Sequence, residues 1–240
     1  MKDFLKRIIK LSPFPLSKNH LYDIQTKRII KRNLNEGSNC IDVGCFQGEI
    51  LDLMIKAAPM GQHWAFEPIP ELYNALKKKY LHTSQCHILN YALSNSIGVS
   101  TFNYVVSNPS YSGLKKRDYD RKHETEKEIL VNTVLLDDLI PDDMPVHLIK
   151  IDVEGAELLV LEGAGRIISN YKPLVIFEHG LGASDHYGST PEKIFGFFHS
   201  HSMSISTLSD FIKKADALSL TQFKEQYFNK QNYYFIAHPQ

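Results

Sequence analysis

With 240 residues, 43% of them hydrophobic and 22% charged, the chain has the composition of a globular protein long enough to bury a substantial core. Its 27 basic and 27 acidic side chains cancel, which removes the simplest electrostatic case for a nucleic-acid partner. Three cysteines, with no CxxC pair and no zinc spacing, exclude a disulfide framework and favour a reducing, cytoplasmic setting, and no run of about 18 apolar residues could span a bilayer.

In chain order, "MKDFLKRIIKL" is basic and amphipathic and reads as a packed helix, with weak contact of residues 1–11 to an anionic membrane surface as the alternative. Pro13 and Pro15 break it, and a second helix is expected from about Ser17 to Leu34, closed by Gly37. Residues 1–35 are thus expected as N-terminal helices packed on one domain of residues 36–240. Beyond them, strand-like runs alternate with helical patterns, which is the signature of a parallel sheet built from βαβ units. The strand candidates are "CIDV" (40–43), "HWAFE" (63–67), "CHILN" (86–90), "HLIKIDV" (147–153) and "LVIFE" (174–178). "EILDLMIKAA", "PELYNALKKKY" and "AELLVLEGAGRII" supply helices between them. "VSTFNYVVS" and "EILVNTVLLDDL" read as a β-hairpin insertion, with the mixed-charge run "KKRDYDRKHETEKE" (115–128) as its solvated tip. After "TPEKIFGFF", with Thr190 as cap and Pro191 in the first turn, "SISTL" and "YYFIAH" make seven strands, the last two expected as a hairpin.

The segment "CIDVGCFQGEILDLM" reads as buried strand, two glycines four apart, then helix. Gly44 and Gly48 would let the backbone turn and approach a ligand, and Glu67, at the end of the next strand, is placed to accept hydrogen bonds from two ribose hydroxyls. The loop is neither GxGxxG nor a P-loop. Asp42 would repel a pyrophosphate and attract a ligand bearing an ammonium and a sulfonium, which points to S-adenosylmethionine.

These residues resemble the FkbM-type S-adenosylmethionine-dependent methyltransferases. The resemblance lies in "IDVGCFQGE", "FEPIPELYNAL", "NYALSNSIGVSTF" and above all "LIKIDVEGAELLVLEGA", covering about residues 36–180. It implies a Rossmann-like class I α/β fold with a seven-stranded, mostly parallel sheet ordered 3-2-1-4-5-7-6, helices on both faces and the hairpin insertion. It further implies that Asp42, Gly44, Cys45, Phe46 and Gly48 shape the methionine end of the cofactor site, that Glu67 and Pro68 lie at the ribose, and that Ala92 and Leu93 lie near the adenine. Cys45 and Phe46 stand where the family has a small residue and Asn.

"KIDVEGAELL" places Asp152, Glu154 and Glu157 within six residues. Asp152 ends the fourth strand, beside the topological switch point where ligands bind, and is the candidate for both cofactor contact and catalysis. Glu154 falls in the turn and is open between catalysis and structure, whereas Glu157 suits the first helical turn. His179, after the fifth strand, is the rival general base. A divalent metal on Asp152, Glu178 and His179 is a weaker alternative. "SNPSYSGL" (107–114), with Tyr111 and Ser112, is the candidate acceptor wall. The expected activity is O-methylation of a sugar or other small molecule. A binding module that keeps the fold without turnover is the alternative, motivated by Phe46.

Overall fold

The computed structural model describes residues 15–119 and 123–240. The expected helix and membrane contact of residues 1–11 therefore lie outside the described residues. No helix among the described residues is long and apolar enough to cross a membrane.

Helix α1 (Lys18–Asn33) starts at Ser17, whose side chain accepts from the backbone N–H of His20, and ends at Leu34 in extended conformation. Gly37 lies three residues further on, in a turn held by Asn35, so it does not close the helix as expected. Tyr22, Ile29 and Ile30 of α1 pack with Met54, Leu148, Ile176, Leu208 and Ile236 into one core, which fixes the helix against the main sheet.

That sheet contains β1 (Cys40–Val43), β2 (His63–Phe66), β3 (Cys86–Leu89), β7 (Leu148–Ile151), β8 (Leu174–Glu178), β9 (Met203–Thr207) and β10 (Tyr234–Pro239). Their order is β3-β2-β1-β7-β8-β10-β9, which is 3-2-1-4-5-7-6 when only these seven are counted. β10 runs antiparallel to both neighbours, and the other pairs are parallel. β1 and β7 are buried at every position, as central strands covered on both faces must be.

The insertion also departs from expectation. β5 (Gly98–Val105) and β6 (Glu126–Val134) form the expected antiparallel pair, but β4 (Ala92–Leu93) joins β6 in parallel, making a second sheet ordered β4-β6-β5.

Helices α2 (Glu49–Ala57) and α3 (Pro70–Lys79) follow β1 and β2. The pattern read as one helix after β7 is two, α4 (Glu157–Glu162) and α5 (Gly165–Tyr171). The break has a packing cause: a Cβ on Gly163 would sit 2.1 Å from the carbonyl oxygen of Ser94. Asp137 then caps α5 from outside, its carboxylate accepting from the N–H groups of Arg166 (2.7 Å) and Ile167 (3.0 Å).

After α6 (Pro191–Ser200), capped by Thr190, β9 and β10 pair in antiparallel but are not a hairpin. α7 (Leu208–Lys213) and α8 (Leu220–Phe228) connect them, the latter opened by a capping box between Ser219 and Gln222. α8 brings Phe223 against Phe235, with ring centroids 4.8 Å apart and nearly perpendicular, a geometry worth about 1 kcal/mol beyond area burial.

Candidate active site

The loop after β1 reverses direction within five residues, using left-handed backbone at Gly44 (φ 75°), Phe46 (φ 51°) and Gly48 (φ 78°). Gly44 is forced by a neighbour as well as by its φ, because an added Cβ would lie 1.9 Å from the carbonyl oxygen of Asp152. The carboxyl ends of β1 and β7 therefore touch through their backbones. Gly48 is different: its absent Cβ makes room for the Tyr80 hydroxyl at 2.4 Å, so this glycine admits α3, and it lines neither cleft described below. Cys45 points into a buried cluster with Leu51, Ala65, Leu76 and Tyr80. Phe46 is the unusual member, since a bulky residue in the left-handed region costs about 1–3 kcal/mol and such strain gathers at functional sites.

The Phe46 N–H donates to Oε2 of Glu67 at 2.9 Å, and the Ile69 N–H donates to Oε1 at 2.9 Å. Glu67 is 3% exposed, and burial pushes its carboxyl up to about 7 against the pull of those two N–H groups. Each oxygen keeps a second lone pair for a ligand. Above it lies an open cleft of about 580 Å³, walled by Glu67, Pro68, Ala92 and Leu93 on one side and by the insertion's Phe102 and Leu114 on the other.

A second cleft, of about 770 Å³, opens on the other side of Phe46 and is closed by Tyr22, Asp23 and Thr26 of α1 and by Tyr234 of β10. The two clefts share Gly44, Phe46, Ser110, Asp152 and Glu154. Asp152 thus stands at the junction.

There its Oδ2 accepts from Lys150 Nζ at 2.7 Å and from the Tyr234 hydroxyl. Burial works against the Asp152 charge, but the Lys150 ammonium and the hydrogen bonds from Lys150 and Tyr234 together hold the carboxyl below its ordinary range. Burial and the Asp152 charge push neighbouring Glu178 well up, so Glu178 is the proton-bearing member of the pair. Asp42 pairs with Lys150 across the β1–β7 ladder and faces the second cleft. It is 1% exposed, and neither of its carboxylate oxygens has a hydrogen-bond partner among the described residues. Burial raises its pKa against the pull of Lys150.

The remaining carboxylates of the 150–159 segment separate by geometry. Glu154 (φ 56°) carries an ion pair with Arg117, whose guanidinium lies 5.1 Å from the Tyr111 ring centre. Glu157 is fully buried, and its Oε1 accepts from the N–H groups of Val153 (3.2 Å) and Gly155 (3.1 Å), tying the turn that precedes α4. In the insertion Ser110 reaches both clefts, whereas the Ser112 hydroxyl is taken by the Val105 N–H at 2.9 Å.

The structure does not bring His179 to Asp152. Its ring lies between Tyr227 (centroids 4.7 Å) and Phe223 (5.7 Å), fully buried, with no hydrogen-bond partner for either nitrogen among the described residues. Burial depresses its pKa to about 3. The unfolded chain, with an ordinary pKa near 6.5, takes up this proton first, so the contribution of His179 is complete above pH 6.5 and is lost as pH falls towards 3. His179→Phe should therefore gain stability relative to the wild type by about 2 kcal/mol between pH 6.5 and pH 5. Urea midpoints at the two pH values measure this, and a parallel pH response of both proteins would refute it. No group of three or more His, Cys, Asp or Glu side chains able to hold a metal is found among the described residues.

Three contacts at the clefts escaped the sequence reading. Lys150 had a usable signal, since two residues apart on a strand means the same face as Asp152. Tyr234 had none, because its approach depends on β10 pairing with β8. Arg117 was read as part of a solvated charge run, yet its side chain is only 16% exposed.

The family model described as the methyltransferase FkbM domain matches residues 42–205. The methyltransferase sdnD of Sordaria araneosa is 29% identical over 174 residues, covering 60% of this chain and 64% of that protein. Among solved structures, the methyltransferase FkbM from Methylobacillus flagellatus aligns at 20% identity over 68% of this chain and 40% of its own, with a TM-score of 0.47. Fibrillarin from Aeropyrum pernix, in complex with natively bound S-adenosyl-L-methionine, aligns at 11% identity over 91% and 73% of the two chains, also at 0.47. The chain spans less than two thirds of the length of sdnD and of the FkbM structure.

Proposed function

The chain belongs to the FkbM methyltransferase family, and on that premise we propose that it transfers the methyl group of S-adenosylmethionine to a hydroxyl of a sugar or other small molecule. The observation that carries the reading is Asp42: a buried carboxylate beside Lys150, with neither oxygen hydrogen-bonded among the described residues, faces the cleft beside the glycine loop and fits a ligand's ammonium. Glu67 fits the other end of the same ligand, with its free lone pairs turned to a ribose diol and with Ala92 and Leu93 offering an apolar wall for the adenine.

S-adenosylmethionine supplies an activated methyl on a sulfonium, so no residue has to generate an electrophile. What this chain must do is hold an acceptor oxygen in line, exclude water and take up one proton. Phe46 and Ser110 narrow the passage between the clefts. Asp152, kept ionised by Lys150 and oriented by Tyr234, accepts the hydroxyl proton as the new O–C bond forms. Glu154, held by Arg117, ties the insertion down over the junction.

The test is calorimetric titration with S-adenosylhomocysteine across pH. Because the diol hydrogen bonds need ionised Glu67, whose carboxyl sits near 7, affinity should rise about tenfold per pH unit below 7 and level off above it. Glu67→Gln should bind more weakly and lose that slope. Absence of binding at every pH would sink the enzyme reading in favour of a module that retains the fold without turnover.

A further inference from the structure

The charges of the chain cancel in total but not along its length. Nine of the 27 basic residues fall within residues 1–33, against two of the 27 acidic ones, so the rest of the chain is acidic to the same degree. Such asymmetry points to a charged partner for the basic part. We infer that the outward face of α1, together with residues 1–11, is a seat for an anionic lipid bilayer. None of the basic residues of this face lines either cleft, and the inference does not depend on the methyl-transfer reading.

Helical spacing sets the face. Tyr22, Thr26, Ile29 and Ile30 are buried and form the stripe that fixes α1 on the domain. Lys27, Arg28, Lys31 and Arg32 recur three and four residues apart on the opposite side, and all four are exposed. None of them has an ion pair among the described residues. The helix dipole accounts for Lys31 and Arg32 in the last turn, but Lys27 and Arg28 lie a turn earlier. Ile24, four residues before Arg28, and Leu21, seven before it, are half-buried on the same side and belong to no cluster of the core. Leu16, just ahead of the helix, is 62% exposed.

The occupant follows from the charge and from the apolar residues set among it. Nucleic acid would answer the charge alone. Residues 1–11, outside the described residues, place Phe4, Leu5, Ile8 and Ile9 among Lys2, Lys6, Arg7 and Lys10. Cations interleaved with bulky apolar side chains match the boundary of an anionic leaflet, where phosphates surround the first carbons of the acyl chains. Each Lys or Arg held near such a leaflet adds about fivefold to affinity, so the four on α1 together give on the order of 100-fold or more at low salt. The same helix walls the second cleft through Tyr22, Asp23 and Thr26, so seating it on a bilayer brings that wall within about 10 Å of the headgroups.

Co-sedimentation of the full chain with vesicles tests this, using phosphatidylcholine alone and phosphatidylcholine mixed with phosphatidylglycerol. The mixed vesicles should be bound about tenfold or more tightly than the neutral ones, and binding should fall steeply between about 0.1 and 0.5 M salt. Lys27→Gln, Arg28→Gln, Lys31→Gln and Arg32→Gln made together should weaken it about 100-fold or more with the circular dichroism unchanged, because glutamine keeps the helix and removes only the charge. Lys77→Gln with Lys78→Gln on α3 removes charge elsewhere and should leave binding within about threefold of wild type. Ile8→Asp should weaken it about fivefold or more. Equal binding to the two vesicles, a folded α1 variant within threefold of wild type, or Ile8→Asp binding like wild type would overturn the inference. Tighter binding of duplex DNA than of the mixed vesicles would overturn it too, in favour of a nucleic-acid surface.

Discussion

Asp152→Asn should lower methyl transfer by about 10²- to 10⁴-fold while S-adenosylhomocysteine affinity stays within a few-fold of wild type. The magnitude follows from the position of the carboxylate. It lies at the junction of the two clefts, so an acceptor hydroxyl aligned with a methyl group in one cleft has Asp152 within reach from the other. A depressed pKa is no obstacle. The acidity of the attacking hydroxyl climbs steeply as the new bond forms, so the site needs a carboxylate that is ionised and correctly aimed more than one that is strongly basic. Lys150 and Tyr234 supply both conditions. The amide keeps the shape but cannot take the proton. It also leaves the Lys150 ammonium with one carboxylate fewer, and removing one member of a buried pair costs about 3–5 kcal/mol at most, less here because Asp42 still faces the same ammonium. Circular dichroism and a urea midpoint separate the two effects: Asp152→Asn should remain folded in assay buffer and still fail to turn over. Transfer by Asp152→Asn within threefold of wild type, measured as S-adenosylhomocysteine release, would move the proton acceptor elsewhere.

The sheet and the cofactor-side loop were legible because their signals are local. Four buried residues, three of them apolar, followed by "GCFQG" dictate strand, reversal and helix without reference to the rest of the chain. The three carboxylates of "KIDVEGAELL" also separated as their local positions suggested, with Asp152 at a strand end and Glu157 accepting from two N–H groups at a helix start. What was not legible depends on pairing across the chain. His179 and Glu178 are adjacent in sequence, but alternation along the strand sends them to opposite faces, and α8, which was not foreseen, supplies the aromatic rings that enclose the histidine. Tyr234 faces Glu178 only because β10 enters between β8 and β9. Thr26 and Tyr22 carry no motif at all, and their relevance comes from where α1 lands.

Gly44→Ala should raise the dissociation constant for S-adenosylhomocysteine by at least 100-fold and destabilise the protein by several kcal/mol. Two costs act together. At φ 75° an alanine pays about 1–2 kcal/mol for left-handed backbone. Its Cβ would also lie 1.9 Å from the Asp152 carbonyl oxygen and 3.0 Å from the carbonyl carbon, and backbone cannot rotate away as a side chain can. Relief requires the carboxyl ends of β1 and β7 to part, which breaks the hydrogen bond from the Asp152 N–H to the Val43 carbonyl (3.1 Å) and moves Asp152 off the junction. Gly48→Ala is the informative contrast. It carries a similar φ penalty, but its Cβ meets the tip of the Tyr80 side chain, which lines neither cleft. It should lower the melting temperature yet change S-adenosylhomocysteine affinity less than fivefold, and Tyr80→Phe in the same chain should relieve part of the loss. The pair thus tests which glycine shapes the ligand site and which only packs a helix. Equal affinity losses in folded Gly44→Ala and Gly48→Ala would mean that the loop acts as one unit, and an unchanged affinity in Gly44→Ala would remove the β1–β7 junction from the cofactor site.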